Sequence, residues 1–238
     1  MSAGVCTSSD DVSSAAGSAD GSQMASAAYG MAASVSRSRR RSRARSGYHE
    51  TMINSLTTPF GRFEAAWRAV ERPELLAAST AATLREWQGA EPVESVLVVD
   101  TDPEKADTSV FCETYDVPLD ASANCVIVSA KRGEEVTFAA CVALATTRVD
   151  VNKTVRKHLG ARKASFASMD IAVTETGMEY GGISPLGLPA HWPVLVDEAV
   201  AGSPYVLIGS GRRRGKVILP GRFLAQLPQA EVLAQLAG

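Results

Sequence analysis

The segment "NCVIVSAKRGEEVTFAACVAL" (124–144) constrains the fold most. Two runs rich in β-branched and apolar residues flank the charged, glycine-containing turn "KRGEE", the pattern of a β-hairpin. "VESVLVVD" (93–100) reads as a buried strand, and "YVLIG" (205–209) and "KVILP" (216–220) as two more around a Gly/Arg turn. Helical signals lie between them. Residues 60–87 read as two helices broken at Pro73, with Ala78, Ala82 and Leu84–Trp87 near helical spacing. "DVNKTVRKHLG" (150–160) reads as a helix with Asp150 as N-cap, Gly160 just past its end and Val151, Val155 and Leu159 on one face. "AEVLAQLA" (230–237) reads as a closing helix. Interleaved hairpins and helices predict an α+β domain around a mixed, curved, barrel-like sheet surrounded by helices. Its expected span is 47–238, with a helical part at 53–92 and the core at 93–238.

Composition sets the limits of that domain. Of 238 residues, 45% are hydrophobic, enough for one well-packed domain plus a tail. Residues 1–46 hold Ser, Ala, Gly and Arg with almost no large apolar side chains, a segment expected to stay disordered. Its six arginines face only Asp10, Asp11 and Asp20. This tail reads as functionally neutral; non-specific nucleic-acid binding, or translated sequence ahead of a later start at Met52, are the other readings. The chain has no apolar run long enough for a membrane span. The arginine cluster "SRSRRRSRARS" is followed by "GYHETMINSL", where an export signal would need an apolar segment. A cytoplasmic setting is expected.

The titratable residues narrow the chemistry. Cys6, Cys112, Cys125 and Cys141 show no CxxC spacing, and His49, His158 and His191 are scattered, so a zinc site has no support and no metal or cofactor is expected. Cys125 and Cys141 sit in apolar runs, as buried cysteines do. His158 is expected to face solvent, His191 to lie near a pocket mouth or do nothing, and Trp192 to be core, with stacking on a nucleobase as its other reading. Two basic groups stand out, Arg148 to Lys163 and Arg212 to Arg222; they are either a face that attracts backbone phosphates or an ordinary solvated helix face and charged turn. The stretch "TGMEYGGISPLG" (176–187) packs four glycines and a proline into twelve residues. It either turns sharply or lets something approach its backbone closely.

Taken together, "TGMEYGGISPLG", "VLVDEAV", "VLIGSGRRRGKVIL" and the upstream "VRKHLGARKASFAS" resemble the YbaK family, the prolyl-tRNA synthetase-associated editing domains. The resemblance covers roughly residues 100–236 and leaves 53–92 unmatched. It implies a cofactor-free hydrolase that removes a wrong amino acid from tRNA, with mischarged aminoacyl-tRNA as partner and a synthetase as a further one. By the same resemblance, Gly181, Ile183, Ser184 and Pro185 bound the aminoacyl pocket; Thr176 is a further candidate substrate-binding residue, and Asp197 either binds there by hydrogen-bonding the loop or caps the helix that follows it. Ser210, Gly211 and Arg212 meet the acceptor end, and Lys153, Arg156, Lys157, Arg213 and Arg214 hold the tRNA backbone. Gly182 would support the oxyanion through loop N–H groups, a role that needs no acidic or nucleophilic side chain on an already activated ester.

One position departs from the pattern. Many family members carry a lysine on the first hairpin strand, and here Asn124 stands at that place. A carboxamide offers dipolar donors and an acceptor where an ammonium offers charge. Asn124 is expected to face the ester and orient water or donate to an oxyanion. Slower chemistry, a different substrate, or a silent aminoacyl-tRNA or small-ligand binding module are the alternatives. Lys131 belongs to the hairpin turn and is a poor substitute; Lys216, after the arginine turn, is a better one.

Overall fold

The computed structural model describes residues 55–238; the segment 1–46, its arginine cluster and Met52 lie outside the described residues. In chain order the strands are β1 (Ala66–Arg68), β2 (Leu97–Asp100), β3 (Ala123–Arg132), β4 (Glu135–Leu144), β5 (Lys163–Phe166), β6 (Val194–Asp197), β7 (Val206–Gly209), β8 (Gly215–Leu219) and β9 (Ala230–Leu233). The helices are α1 (Ala78–Arg85), α2 (Thr108–Tyr115), α3 (Arg156–His158), α4 (Met169–Thr176), α5 (Glu198–Ala201) and α6 (Gly221–Leu224).

The strands form two sheets, one ordered β1-β2-β8-β7 and the other β5-β3-β4-β6-β9. The first is antiparallel throughout; the second is mixed, because β4–β6 and β6–β9 run parallel. A single parallel bridge, Ser122 to Leu207, joins them. The α+β class therefore holds, with two sheets surrounded by helices in place of a closed barrel.

Side-chain alternation along the strands sorts the core into layers. Val98, Val206, Ile208, Val217 and Leu219 of the first sheet share one core with Ile127, Ala140, Val142, Val194 and Val196 of the second. On the other side of the first sheet, Val99, Leu207 and Ile218 pack under Phe111 and Cys112 of α2. On the other side of the second, Val128, Cys141 and Leu195 pack under Val151 and Val155.

The hairpin at 124–144 forms as β3 and β4, paired from Ala123↔Leu144 to Arg132↔Glu135. The segment 150–160 is a π-helical turn, Val151–Val155, running into α3. The Asp150 side chain accepts from the Lys153 and Thr154 N–H groups at its start. At its end, Gly160 N–H donates to Lys157 O and Ala161 N–H to Arg156 O, the paired bonds of a Schellman cap. Two readings change. Ala66–Arg68 within the expected helical segment is a strand paired with β2, followed by short 3₁₀ turns, so only α1 is helical there. Residues 230–237 hold β9 instead of a helix, paired with β6. Both segments are rich in helix formers, and pairing with a distant strand overrides that propensity.

Candidate functional site

Alternation also decides which side chains meet at the junction of the sheets. On β8, Val217 and Leu219 face the shared core, while Ile218 lies under α2. Lys216 takes the same side as Ile218, with Nζ 5.3 Å from the Phe111 ring centroid. On β3, Ala123 and Ile127 face the shared core, which turns Asn124 to the opposite side. Gly209 of β7 stands directly across from Lys216. A Cβ at Gly209 would lie 2.3 Å from the Gly182 carbonyl oxygen and 2.5 Å from that of Ile183, so a side chain there would block the crossing of the 179–183 loop.

The result is a cleft of about 270 Å³ lined by Asn124 and Cys125 of β3, Ala106–Thr108 and Phe111 around α2, Tyr180, Gly181 and Ile183 of the loop, and Leu207–Gly209 and Lys216. The Thr108 hydroxyl donates to Asn124 Oδ1 at 2.8 Å, leaving the carboxamide NH2 for the cleft. Lys216 is buried, and its Nζ donates to Gly181 O at 3.2 Å and Ala106 O at 3.4 Å. Burial, reinforced by the nearby Arg213, draws its pKa down to about 8; Cys112 and Asp107 oppose that shift. The Cys125 and Cys141 thiols are pushed up by burial, Cys141 to about 12, which leaves them poor nucleophiles.

The glycines of the loop answer a structural demand. Gly181 has φ 79°, a left-handed conformation. A Cβ at Gly182 would sit 2.5 Å from the Arg212 carbonyl carbon and oxygen, so the backbone that approaches closely is the chain's own. Gly182 N–H donates to Glu179 O at 3.0 Å, and Gly182 O accepts from Gly211 N–H at 2.7 Å. An oxyanion supported by the loop would need free N–H groups. In the structure that of Gly182 is engaged, and what Gly181 offers the cleft is a carbonyl oxygen.

The arginine turn braces this loop from behind. Arg213 N–H donates to the Glu179 carboxylate at 2.8 Å, its Nε to Pro103 O at 3.1 Å and its Nη1 to Tyr180 O at 3.2 Å. Arg212 Nε donates to Leu76 O at 2.7 Å, and buried Ser210 accepts from Arg212 N–H at 3.2 Å. Arg214 forms a fork with Asp100 at 2.6 and 2.5 Å. Of the residues singled out from the sequence, Asn124, Gly181, Ile183 and Lys216 converge on the cleft. Gly182, Ser210, Gly211 and Arg212 lie behind it. Thr176 bonds Ala172 O at the end of α4, and Ser184 and Pro185 are buried beyond the loop. Asp197 caps α5 through Ala199 N–H and also accepts from Ala237 N–H, both at 3.0 Å.

His158 pairs with Glu231 at 2.9 Å on the surface, His191 is exposed, and Trp192 is core. Among the described residues no group of three His, Cys, Asp or Glu side chains is placed to hold a metal ion, and no helix is long and apolar enough to cross a membrane. Sequence reasoning missed Asp107 and Thr108, whose only signal is an Asp-Thr-Ser start to α2. For Lys216 the signal was present: a lysine inside an otherwise apolar strand.

Comparison with known proteins follows the same geometry. A profile of the aminoacyl-tRNA editing domain matches residues 102–227, which span every cleft residue. Among solved structures of similar fold is one described as a candidate trans-editing enzyme for prolyl-tRNA synthetase, 18% identical, covering 67% of this chain and 97% of that one with a TM-score of 0.55. A scaffold protein used for epitope backbone grafting is 17% identical with the same coverages and TM-score. A hypothetical protein is 20% identical over 59% of this chain and 90% of that one, with a TM-score of 0.53. These likenesses carry the fold, and the profile match carries the family: the chain belongs to the aminoacyl-tRNA editing domain family.

Proposed function

We propose that this protein is an aminoacyl-tRNA deacylase that acts in trans, hydrolysing the ester of a mischarged tRNA at the cleft between β3 and the 179–183 loop. The observation that carries the reading is convergence. The one polar side chain that β3 turns into the cleft, Asn124, faces a backbone loop across a small space inside the family-matched segment. An aminoacyl ester is activated already, so orienting water and supporting the oxyanion suffices. The solved relative described as a candidate trans-editing enzyme for prolyl-tRNA synthetase supports the same direction.

The other end of β3 supplies a surface for the tRNA. Lys131 and Lys163 stand directly opposite each other on β3 and β5, a like-charge pair that destabilises a ladder unless an anion relieves it. Arg156 and Arg162 line the same groove, with Lys153 and Lys157 exposed on the adjoining turn. Asn124 and Lys131 are seven residues apart along the strand, about 23 Å. In this reading the groove holds backbone phosphates while the acceptor end enters the cleft, and such contacts position a tRNA without identifying it.

The test is single-turnover deacylation by the full chain on tRNAs mischarged with alanine, serine, threonine or proline. Hydrolysis above the spontaneous rate, slowed about 10²-fold by Asn124→Ala as for a lost oxyanion-hole donor, is the expected result. Salt-sensitive tRNA binding with no hydrolysis of any ester would overturn the deacylase and leave a binding module.

A further inference from the structure

A buried ammonium is costly to keep charged, because fixed dipoles replace its hydration poorly. Lys216 sits among buried Val217, Ile218 and Leu219 on β8 and forms no salt bridge among the described residues. A leucine or methionine would fill the position without that cost. Two carbonyl oxygens, of Gly181 and Ala106, accept from its Nζ. An ammonium has three N–H donors, so one is left uncommitted. The residue across the ladder, Gly209, has no side chain to wall it off.

Among the residues lining the cleft, Lys216 is the one cation that could meet a developing negative charge, beside the neutral Asn124 NH2. The loop presents the Gly181 carbonyl, and the Gly182 N–H is bonded to Glu179 O. We propose that Lys216 is a catalytic residue of this cleft, its ammonium donating a hydrogen bond to the ester carbonyl oxygen as that oxygen becomes an oxyanion. This rests on the deacylase reading above. In the step, water adds to the carbonyl carbon and the tetrahedral intermediate collapses. The bond from that carbon to the ribose oxygen breaks, and the proton lost by the water ends on the ribose oxygen. Amino acid and tRNA with a free hydroxyl leave. Lys216 keeps its proton throughout, and the Asn124 NH2 is a second, neutral donor to the same oxyanion.

The charged and titratable groups facing the ammonium are Asp107 just before α2, Cys112 within α2 and Arg213 from the turn. With a pKa near 8, the charge is present at neutral pH and is lost well before that of an exposed lysine.

The experiment measures single-turnover deacylation at saturating protein from pH 6.5 to 9.5, with spontaneous hydrolysis subtracted, for the full-length wild type, Lys216→Met and Lys216→Gln. tRNA affinity and circular dichroism are measured alongside. The expected result is a loss of about 10²-fold in rate for Lys216→Met, with Kd changed less than threefold and a smaller loss for Lys216→Gln, which still donates. The wild-type rate should fall about tenfold per pH unit above pH 8 as the ammonium deprotonates. If wild type hydrolyses and Lys216→Met hydrolyses as fast, the inference fails and the deacylase reading stands. A loss confined to Kd would make Lys216 an anchor and overturn the catalytic role. A rate that rises through pH 8 would make the neutral amine a base and overturn it equally. The α-amino group of the substrate titrates in the same range, so the fall is assigned to Lys216 by its absence from the Lys216→Gln profile, a comparison that holds even if Lys216→Met misfolds. No hydrolysis by wild type on any ester would fell the deacylase reading itself.

Discussion

Apart from its proposed role in the cleft, Lys216 links the stability of the protein to pH. Its pKa falls from 10.5 to about 8 on folding, because the folded state buries the charged form. Below pH 8 the folded chain carries the whole penalty, about 3 kcal/mol from the size of the shift. Between pH 8 and 10.5 the unfolded chain binds more protons than the folded one, so stability rises with pH. Lys216→Met removes the titration while leaving two carbonyls without their donor. The difference in Tm, variant minus wild type, is therefore expected to be most positive near pH 7 and to shrink by pH 10, as thermal melts across that range would show. Asn124 depends in turn on the Thr108 hydroxyl that holds its Oδ1. Thr108→Val is expected to reduce the single-turnover rate less than Asn124→Ala does, with little change in Tm.

At the scale of elements, the glycine loop and the arginine turn form one unit whose backbones are stacked. Gly182→Ala puts a methyl 2.5 Å from Arg212 backbone atoms, which flexible side-chain motion does not relieve. A destabilisation of about 1–3 kcal/mol is expected, together with a displaced loop and a lower deacylation rate. Asp197 behaves differently because it serves α5 and the C-terminal segment at Ala237. Asp197→Ala is expected to lose about 1–2 kcal/mol in denaturant unfolding while each folded molecule deacylates at the parent rate. Legibility at this scale followed distance along the chain. The β3–β4 hairpin was readable because both strands and their turn are contiguous. β1 and β9 were not, because Ala-rich segments with helical propensity became strands through partners at Leu97–Asp100 and Val194–Asp197.

Over the whole molecule, a net charge of −2 conceals a basic groove at one end of the mixed sheet. Replacing Lys131, Arg156 and Lys163 by glutamine is expected to weaken tRNA binding at low salt. The log–log salt slope should flatten by about 1 for each phosphate contact removed. Titrations at several salt concentrations check this, and an unchanged slope would exclude the groove as the phosphate surface. Because the groove and the cleft lie at opposite ends of β3, these variants should raise the tRNA concentration needed without slowing the saturated single-turnover step.

By itself the sequence determined the α+β class, the long hairpin, the caps of the 150–160 turn and the likeness of its glycine loop to an editing domain. All of these depend on residues close together in the chain, where periodicity and turn chemistry act directly. Tertiary structure decided what faces the cleft. Lys216 and Asn124 are 92 positions apart and come from different sheets, and they meet only because alternation turns both away from the shared core at the Ser122–Leu207 junction. The same packing set Gly182 and the arginine turn behind the loop, since which backbone a glycine must admit depends on what folds against it.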